Sequence, residues 1–369
     1  MRVLFTGGGT GGHLYPGLAI ARALRRLEPA AQPFFVGARR GIERTVLPES
    51  GFPFELLDLH PLYRQRPWEN WRTARGLAGA WRRIDALARA DQPRAVVATG
   101  GYAAGAVLAY AARRGIPYAL QEQNSFAGLT VRLFSRWARE VYLGFPEAAA
   151  SLRPGARTQL VDTGNPIEPP PAERPDRAAA RRRWALPERG GTVLLVFGGS
   201  QGARALNEAV AAWVARGLPP DLHLIWGTGQ GGYDAFRALE SERVRVRAYL
   251  SPIGDAYAAA DLALTRAGAM STAELCAWGV PAVLVPLPTA AADHQTANAR
   301  SLEAAGAALH LPQSRLDAAA LDGVVRELVG DAARVARMAA AARARARPDA
   351  AETIARRVLA LARGEATLS

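Results

Sequence analysis

The sequence has no lysine: all 46 residues counted as Lys or Arg are arginine. That excludes a Schiff-base lysine and a P-loop lysine. Cys276 is the single cysteine, which excludes an internal disulfide and a cysteine-rich metal cluster and fits a reducing setting. No apolar run approaches the ~20 residues that cross a bilayer. The chain enters a strand at once, without the basic region and apolar core of a signal peptide, so no leader is expected. Aromatic residues make up only 7%. What remains is a chain of 369 residues, 49% hydrophobic, a length that predicts two globular domains. The net charge is +13. Genomic composition or thermal adaptation accounts for it, or else an acidic partner does: nucleic acid, a phosphorylated substrate or an anionic membrane.

The stretch Val3 to Pro16, VLFTGGGTGGHLYP, organises the reading. An apolar run, a glycine cluster and a helical pattern (Leu18, Ile20, Ala21, Leu24, Leu27) predict strand, tight loop and helix. Glycine lets the loop amides approach a ligand, and the helix N-terminus favours an anion there. Thr192 to Arg204, TVLLVFGGSQGAR, repeats the device. Two such starts predict two halves built alike, with a ligand held in a cleft.

Between them, strands are predicted at 33–37, 95–99, 117–120, 141–144 and 159–161. Arg39 and Arg40 follow the second strand, where a dinucleotide fold could meet a 2′-phosphate. Tyr63 to Arg83 mixes Trp68, Trp71, Leu77 and Trp81 with arginines. Leu77, Trp81 and Ile84 share a helical face. That face packs into a core, or it dips into a headgroup layer while arginines meet phosphates. Thr99 leads into a second glycine turn, and Gln121-Glu122-Gln123-Asn124 ends a strand, a common place for site residues. GNPIEPPPAERP, 164–175, reads as the linker. The second half has predicted strands at 192–197, 222–226, 244–248, 262–265 and 282–285. Ser271-Thr272-Ala273-Glu274 and Asp293-His294-Gln295 each open a helix, as site residues or simply as helix starts. The tail from Asp317 to Arg363 is helical, broken at Pro348.

Taken in order, TGGGTGGHLYPGLA, GGYAAG, QEQNSFAGLT, GNP, GGSQGAR, TRAGAMSTAEL and DHQTANA resemble the MurG glycosyltransferase family, from about residue 6 to residue 298. The resemblance implies an α/β GT-B fold: two Rossmann-like domains with parallel sheets facing a central cleft. It places an N-terminal acceptor and membrane domain at 1–163, with helix 349–369 packed back on it, and a C-terminal UDP-sugar domain at 164–348. The implied activity is inverting transfer of N-acetylglucosamine from UDP-N-acetylglucosamine to the C4 hydroxyl of undecaprenyl-linked lipid I, giving lipid II. The partners would be those two substrates and the anionic inner leaflet, with no nucleic acid, at the cytoplasmic face of the membrane.

The resemblance puts Thr10, Gly11, Gly12, Asn124, Ser200, Leu250, Ala269, Met270, Ser271, Thr272, Ala273, Glu274, His294 and Gln295 against the donor. Gly101, Tyr102 and Gln123 would meet the acceptor, and Trp68, Trp71, Leu77 and Trp81 the membrane. His13, or the carboxylate Glu122, is the expected base. No cofactor and no bound metal are expected, since the chain has no Asp-x-Asp pair. Helix-terminal amides can instead stabilise the departing diphosphate. Three positions depart from the family pattern: Glu168 where Arg is common, Gln121 for a frequent His, and His294 for a frequent Gln. Another UDP-sugar:lipid transferase remains the nearest alternative. An NADP oxidoreductase would use Arg39 and Arg40 but leaves the second glycine loop and the Ser271 to Glu274 segment without a role.

Overall fold

The computed structural model describes residues 1–60, 68, 70–199 and 202–365. The chain divides into two compact units: Met1–Glu168 with Arg347–Ser369, and Pro169–Ala346.

Unit 1 is built on seven strands: β1 (Arg2–Thr6), β2 (Gln32–Ala38), β3 (Phe54–Leu57), β4 (Ala95–Ala98), β5 (Tyr118–Glu122), β6 (Glu140–Leu143) and β7 (Gln159–Asp162). They form one sheet in the order β3-β2-β1-β4-β5-β6-β7, and every pairing is parallel. The order reverses between β1 and β4, the place where open α/β sheets receive ligands beyond their strand ends. A parallel sheet is covered on both faces, so its strands are apolar throughout: Val3 and Phe5 are buried on one face, Leu4 on the other.

The helices of this unit are α1 (Gly11–Leu27), α2 (Glu43–Val46), α3 (Asn70–Ala90), α4 (Ala104–Arg114), α5 (Leu129–Phe134) and, from the chain end, α14 (Ala350–Arg363). Ala80 and Ile84 of α3 and Val107, Leu108 and Ala111 of α4 pack on one face. Leu18 and Leu24 of α1 join Ile354 and Val358 of α14 on the other. The bond between chain end and sheet is partly ionic. Arg357 donates to both carboxylate oxygens of Glu140, at 2.9 and 3.0 Å, and to Gln159 at 3.0 Å. With Glu140 1% and Arg357 8% exposed, Arg357→Ala strands a buried carboxylate and is expected to cost about 3–5 kcal/mol. Urea unfolding checks this, with the apolar pair Arg357→Met, Glu140→Leu recovering most of the loss.

The units part after Glu168, not after residue 163, and rejoin at Arg347. The reason is local. Asn165 Nδ2 donates to Gln123 O at 2.9 Å, Gln121 Nε2 donates to Asn165 Oδ1 at 3.2 Å, and Ile167 is buried, so the GNP turn belongs to the first sheet. Glu168 is exposed at the boundary.

Unit 2 carries β8 (Thr192–Phe197), β9 (Leu222–Gly227), β10 (Val244–Arg247), β11 (Leu262–Thr265), β12 (Ala282–Leu284) and β13 (Ala308–His310). The sheet order is β10-β9-β8-β11-β12-β13, again all parallel, reversing between β8 and β11. Its helices are α6 (Arg177–Arg183), α7 (Arg204–Arg216), α8 (Tyr233–Phe236), α9 (Ile253–Ala259), α10 (Ala269–Trp278), α11 (His294–Ala304), α12 (Ala318–Gly330) and α13 (Ala332–Arg345). Two fully buried tryptophans have their N–H groups satisfied: Trp226 Nε1 donates to Asn207 Oδ1 and Trp213 Nε1 to Asp322 Oδ1, each at 3.0 Å. Among the described residues, no helix is long and apolar enough to cross a membrane.

Candidate active site

In unit 1 the strand ends of β1, β4 and β5 converge. Helix α1 begins at Gly11, so Gly11, Gly12 and His13 form its first turn, with exposed Thr10 as N-cap. His13 Nδ1 lies 3.0 Å from Thr99 O and 2.9 Å from Gln123 Oε1. Both neighbours are acceptors, so the proton of the neutral ring sits on Nδ1 and the lone pair on Nε2. Gln123 cannot turn its oxygen away. Its Nε2 donates to Thr99 O at 2.9 Å and to Gln121 O at 3.0 Å, and also to Gln121 Oε1. Gln123 is 2% exposed. The acceptor contact expected of it is therefore corrected: it lies beneath His13 and orients the ring. Thr99 Oγ1 donates to His13 O at 2.6 Å, a second restraint that sequence reasoning missed.

Glu122 is fully occupied as well. Oε1 accepts from Asn124 N at 3.0 Å and Asn124 Nδ2 at 3.3 Å, and Oε2 from Gly128 N at 2.8 Å. Burial raises its pKa, and these donors oppose the rise. Glu122 thereby holds the loop that carries Asn124.

The first glycine loop also departs from expectation. The fully buried carboxylate of Glu43 accepts from Gly9 N and from Ala38 N, both at 3.1 Å. A Cβ on Gly8 or Gly41 would come within 1.9 Å of it. Part of the amide lining taken for a ligand cradle is filled by this internal anion. The sequence did hold a trace: an acid just beyond Gly37 and Gly41. Gly101, at φ +78°, has no room for a Cβ, which would lie 2.2 Å from Gly8 O. Thr130 Oγ1 donates to Gly101 O at 3.0 Å, and half-buried Tyr102 packs against Gly9.

In unit 2 a cavity of about 530 Å³ opens where β8 runs into Gly198 and Gly199. Ser200, expected at the donor, lies outside the described residues, as does Gln201. Ser271, Gln295, Arg266 and Gln313 line the cavity. The last two were not singled out from sequence, although Arg266 is the second residue of the quoted TRAGAMSTAEL stretch. Arg266 Nη1 donates to Val285 O and Pro286 O at 3.1 Å each, and burial lowers its pKa. Gln313 Oε1 is buried with no hydrogen-bond partner among the described residues.

Ala269, Met270 and Ala273 lie half-buried in the first turns of α10. Thr272 is turned inward: its hydroxyl donates to Gly268 O and Ala269 O, both at 3.0 Å. That hydroxyl does not face the cavity as expected. Glu274 is half-buried; burial of its carboxyl group raises its pKa, and it accepts from the Tyr257 hydroxyl at 2.7 Å, which counters the rise. Leu250 buries its side chain against Gly227. Gln295 Oε1 accepts from Leu287 N at 2.9 Å, and His294 Nδ1 donates to Ala291 O at 2.7 Å. Among the described residues no group of three His, Cys, Asp or Glu is arranged to hold a metal ion.

The Trp/Arg segment divides. Trp68, Trp71 and Leu77 are 72%, 59% and 44% exposed. Trp81 instead packs edge-on against Tyr110, ring centroids 5.1 Å apart, so its expected membrane contact is corrected to a core contact. Residues 61–67 and 69 lie outside the described residues. Exposed Leu133 and Trp137 in and after α5, 57% and 60%, went unremarked in sequence. Arg39 and Arg40, the basis of the NADP alternative, are engaged locally: Arg39 Nε donates to Leu56 O at 3.0 Å, and Arg40 stands 3.6 Å from Asp58.

Two doubly wound parallel domains of this kind make a GT-B fold, and the family matches make the chain a glycosyltransferase. Residues 3–143 match the glycosyltransferase family 28 N-terminal domain and residues 193–354 its C-terminal domain. The chain belongs to the MurG family within this group. A Salinibacter ruber protein, UDP-N-acetylglucosamine--N-acetylmuramyl-(pentapeptide) pyrophosphoryl-undecaprenol N-acetylglucosamine transferase, is 46% identical over 98% of this chain and 96% of its own length. The protein of the same name from Symbiobacterium thermophilum is 41% identical over 98% and 97%. The crystal structure of Acinetobacter baumannii MurG superposes with a TM-score of 0.75 at 31% identity, covering 96% of this chain and 98% of that one.

Proposed function

We propose that this chain transfers N-acetylglucosamine from UDP-N-acetylglucosamine to the C4 hydroxyl of undecaprenyl-pyrophosphoryl-N-acetylmuramoyl-pentapeptide, lipid I, giving lipid II. The near full-length identity to transferases bearing that name carries the reading. In it, unit 2 holds the donor: Glu274 accepts from the ribose diol, the backbone at Leu250 reads the uracil edge, and Gln295 and His294 read sugar hydroxyls. Thr10, Gly11, Gly12 and Asn124 complete the donor contacts from unit 1, while Gly101 and Tyr102 meet the acceptor.

The acceptor oxygen attacks the anomeric carbon as the bond to the β-phosphate oxygen of UDP breaks, with inversion. His13 Nε2 takes the hydroxyl proton, a role supported by the two acceptors that hold Nδ1 protonated. Negative charge grows on the departing diphosphate, and amides at the N-terminus of α7 beside Gly202 stabilise it. The test is incubation with radiolabelled UDP-N-acetylglucosamine and a lipid I analogue. Labelled disaccharide lipid is the expected product; its absence with folded protein overturns the reading.

In this reading the acceptor's lipid tail brings the reaction to a membrane surface, and the proposed side is the cytoplasmic face. Exposed Trp68, Trp71 and Leu77 among arginines support docking on an anionic leaflet. The triple variant Trp68→Ala, Trp71→Ala, Leu77→Ala is expected to bind phosphatidylglycerol vesicles about tenfold more weakly in flotation. Unchanged flotation would move the docking surface elsewhere.

A further inference from the structure

Glu274 is held by a residue that the assignments above do not use. The Tyr257 hydroxyl that donates to its Oε2 comes from α9, 17 residues earlier. The Tyr257 ring is 2% exposed. It is packed edge-on against Phe197, centroids 6.2 Å apart, and tilted against Trp278 at 5.8 Å. Phe197 ends β8 directly before Gly198, and Trp278 ends α10. A ring wedged between a strand end and a helix end keeps its hydroxyl at one place, whereas a glutamate side chain has three rotatable bonds of its own.

We propose that Tyr257 is a positioning residue for donor recognition: its hydroxyl occupies one acceptor direction of Glu274 and aims the others at the two ribose hydroxyls of the uridine nucleotide. A carboxylate offers about four such directions, so one can be given to Tyr257 and two to the diol. The hydroxyl also works against the burial that would neutralise the carboxylate, and only the ionised form accepts from all three donors. Because Phe197 braces the same ring, the piece that orients the ribose ligand is anchored to the strand feeding the glycine loop. Tyr257 itself touches no substrate atom. This inference rests on the reading of Glu274 as the ribose ligand.

The test titrates UDP and 2′,3′-dideoxyuridine 5′-diphosphate calorimetrically into the full chain and into Tyr257→Phe, Glu274→Gln and the double variant. The unaltered chain is expected to prefer UDP at least about tenfold, the scale of hydrogen bonds to a charged group. Tyr257→Phe is expected to shrink that preference about fivefold while binding the dideoxy nucleotide within about twofold of the unaltered chain. The double variant should discriminate no worse than Glu274→Gln alone. In transfer assays, KM for the donor rises and kcat at saturation stays. Full discrimination in Tyr257→Phe overturns the proposal, as does an equal loss of affinity for both nucleotides. If the unaltered chain fails to distinguish the nucleotides, the ribose reading of Glu274 falls first, and this inference falls with it.

Discussion

With His13 replaced by alanine, glycosyl transfer is expected to fall by ~10²- to 10⁴-fold, the usual worth of a positioned general base. The loss should sit in kcat, since the imidazole acts on a proton that moves only as the new bond forms. Donor affinity should be unchanged, because the residues proposed to grip UDP lie chiefly in unit 2. The structural cost should be small: the Nδ1 bonds run to Thr99 O and Gln123 Oε1 at a half-buried position, and a polar group whose partners retain other bonds is cheaply lost. Single-turnover transfer and a thermal melt separate the two effects. A fall under tenfold with an unchanged melt removes His13 from the role. Glu122, whose carboxylate already accepts three loop N–H bonds, would then be the base to test next.

What sequence made legible follows from where each signal lives. Strands buried on both faces announce themselves as apolar runs, and β1, β4, β5, β8 and β11 were all placed that way. The edge strands β3 and β13 were not: FELL is mostly half-exposed and ALH is only three residues, so neither leaves a continuous apolar trace. The glycine loops were equally plain, but what their amides face was not. Gly9 meets a carboxylate 34 residues away, and His13 meets Gln123 across 110 residues. Glu140 and Arg357 find each other across 217. No local pattern encodes such pairings; only the parallel sheet, by bringing strand ends together, creates them. The Trp/Arg helix shows the same limit within one element. Its spacing put Leu77, Trp81 and Ile84 on one face, yet Ile84 is core, Trp81 half-buried and Leu77 exposed, because α4 covers only part of the stripe.

Removing Glu43 should be among the most damaging single changes in unit 1. Its carboxylate is fully buried and joins the β1 loop, through Gly9 N, to the end of β2, through Ala38 N. Hydrogen bonds to a charged acceptor are worth about 1.5–3 kcal/mol each. Glu43→Ala breaks both, orphans two backbone donors and leaves a void against Gly8, Gly37 and Gly41, glycines whose missing side chains make room for it. An unfolding cost of about 3–5 kcal/mol is expected. Glu43→Gln fills the same space but turns an NH₂ toward one of the two amide donors, so it should recover the void cost and only one of the bonds. Transfer should fall in both variants, because α1 with His13 starts two residues beyond Gly9 and inherits any slack in the loop. UDP affinity, carried chiefly by unit 2, should fall much less than transfer. Urea unfolding of the full chain, read beside UDP titration, decides the point: a cost below about 1 kcal/mol for Glu43→Ala would mean that the loop holds its shape without its internal anion.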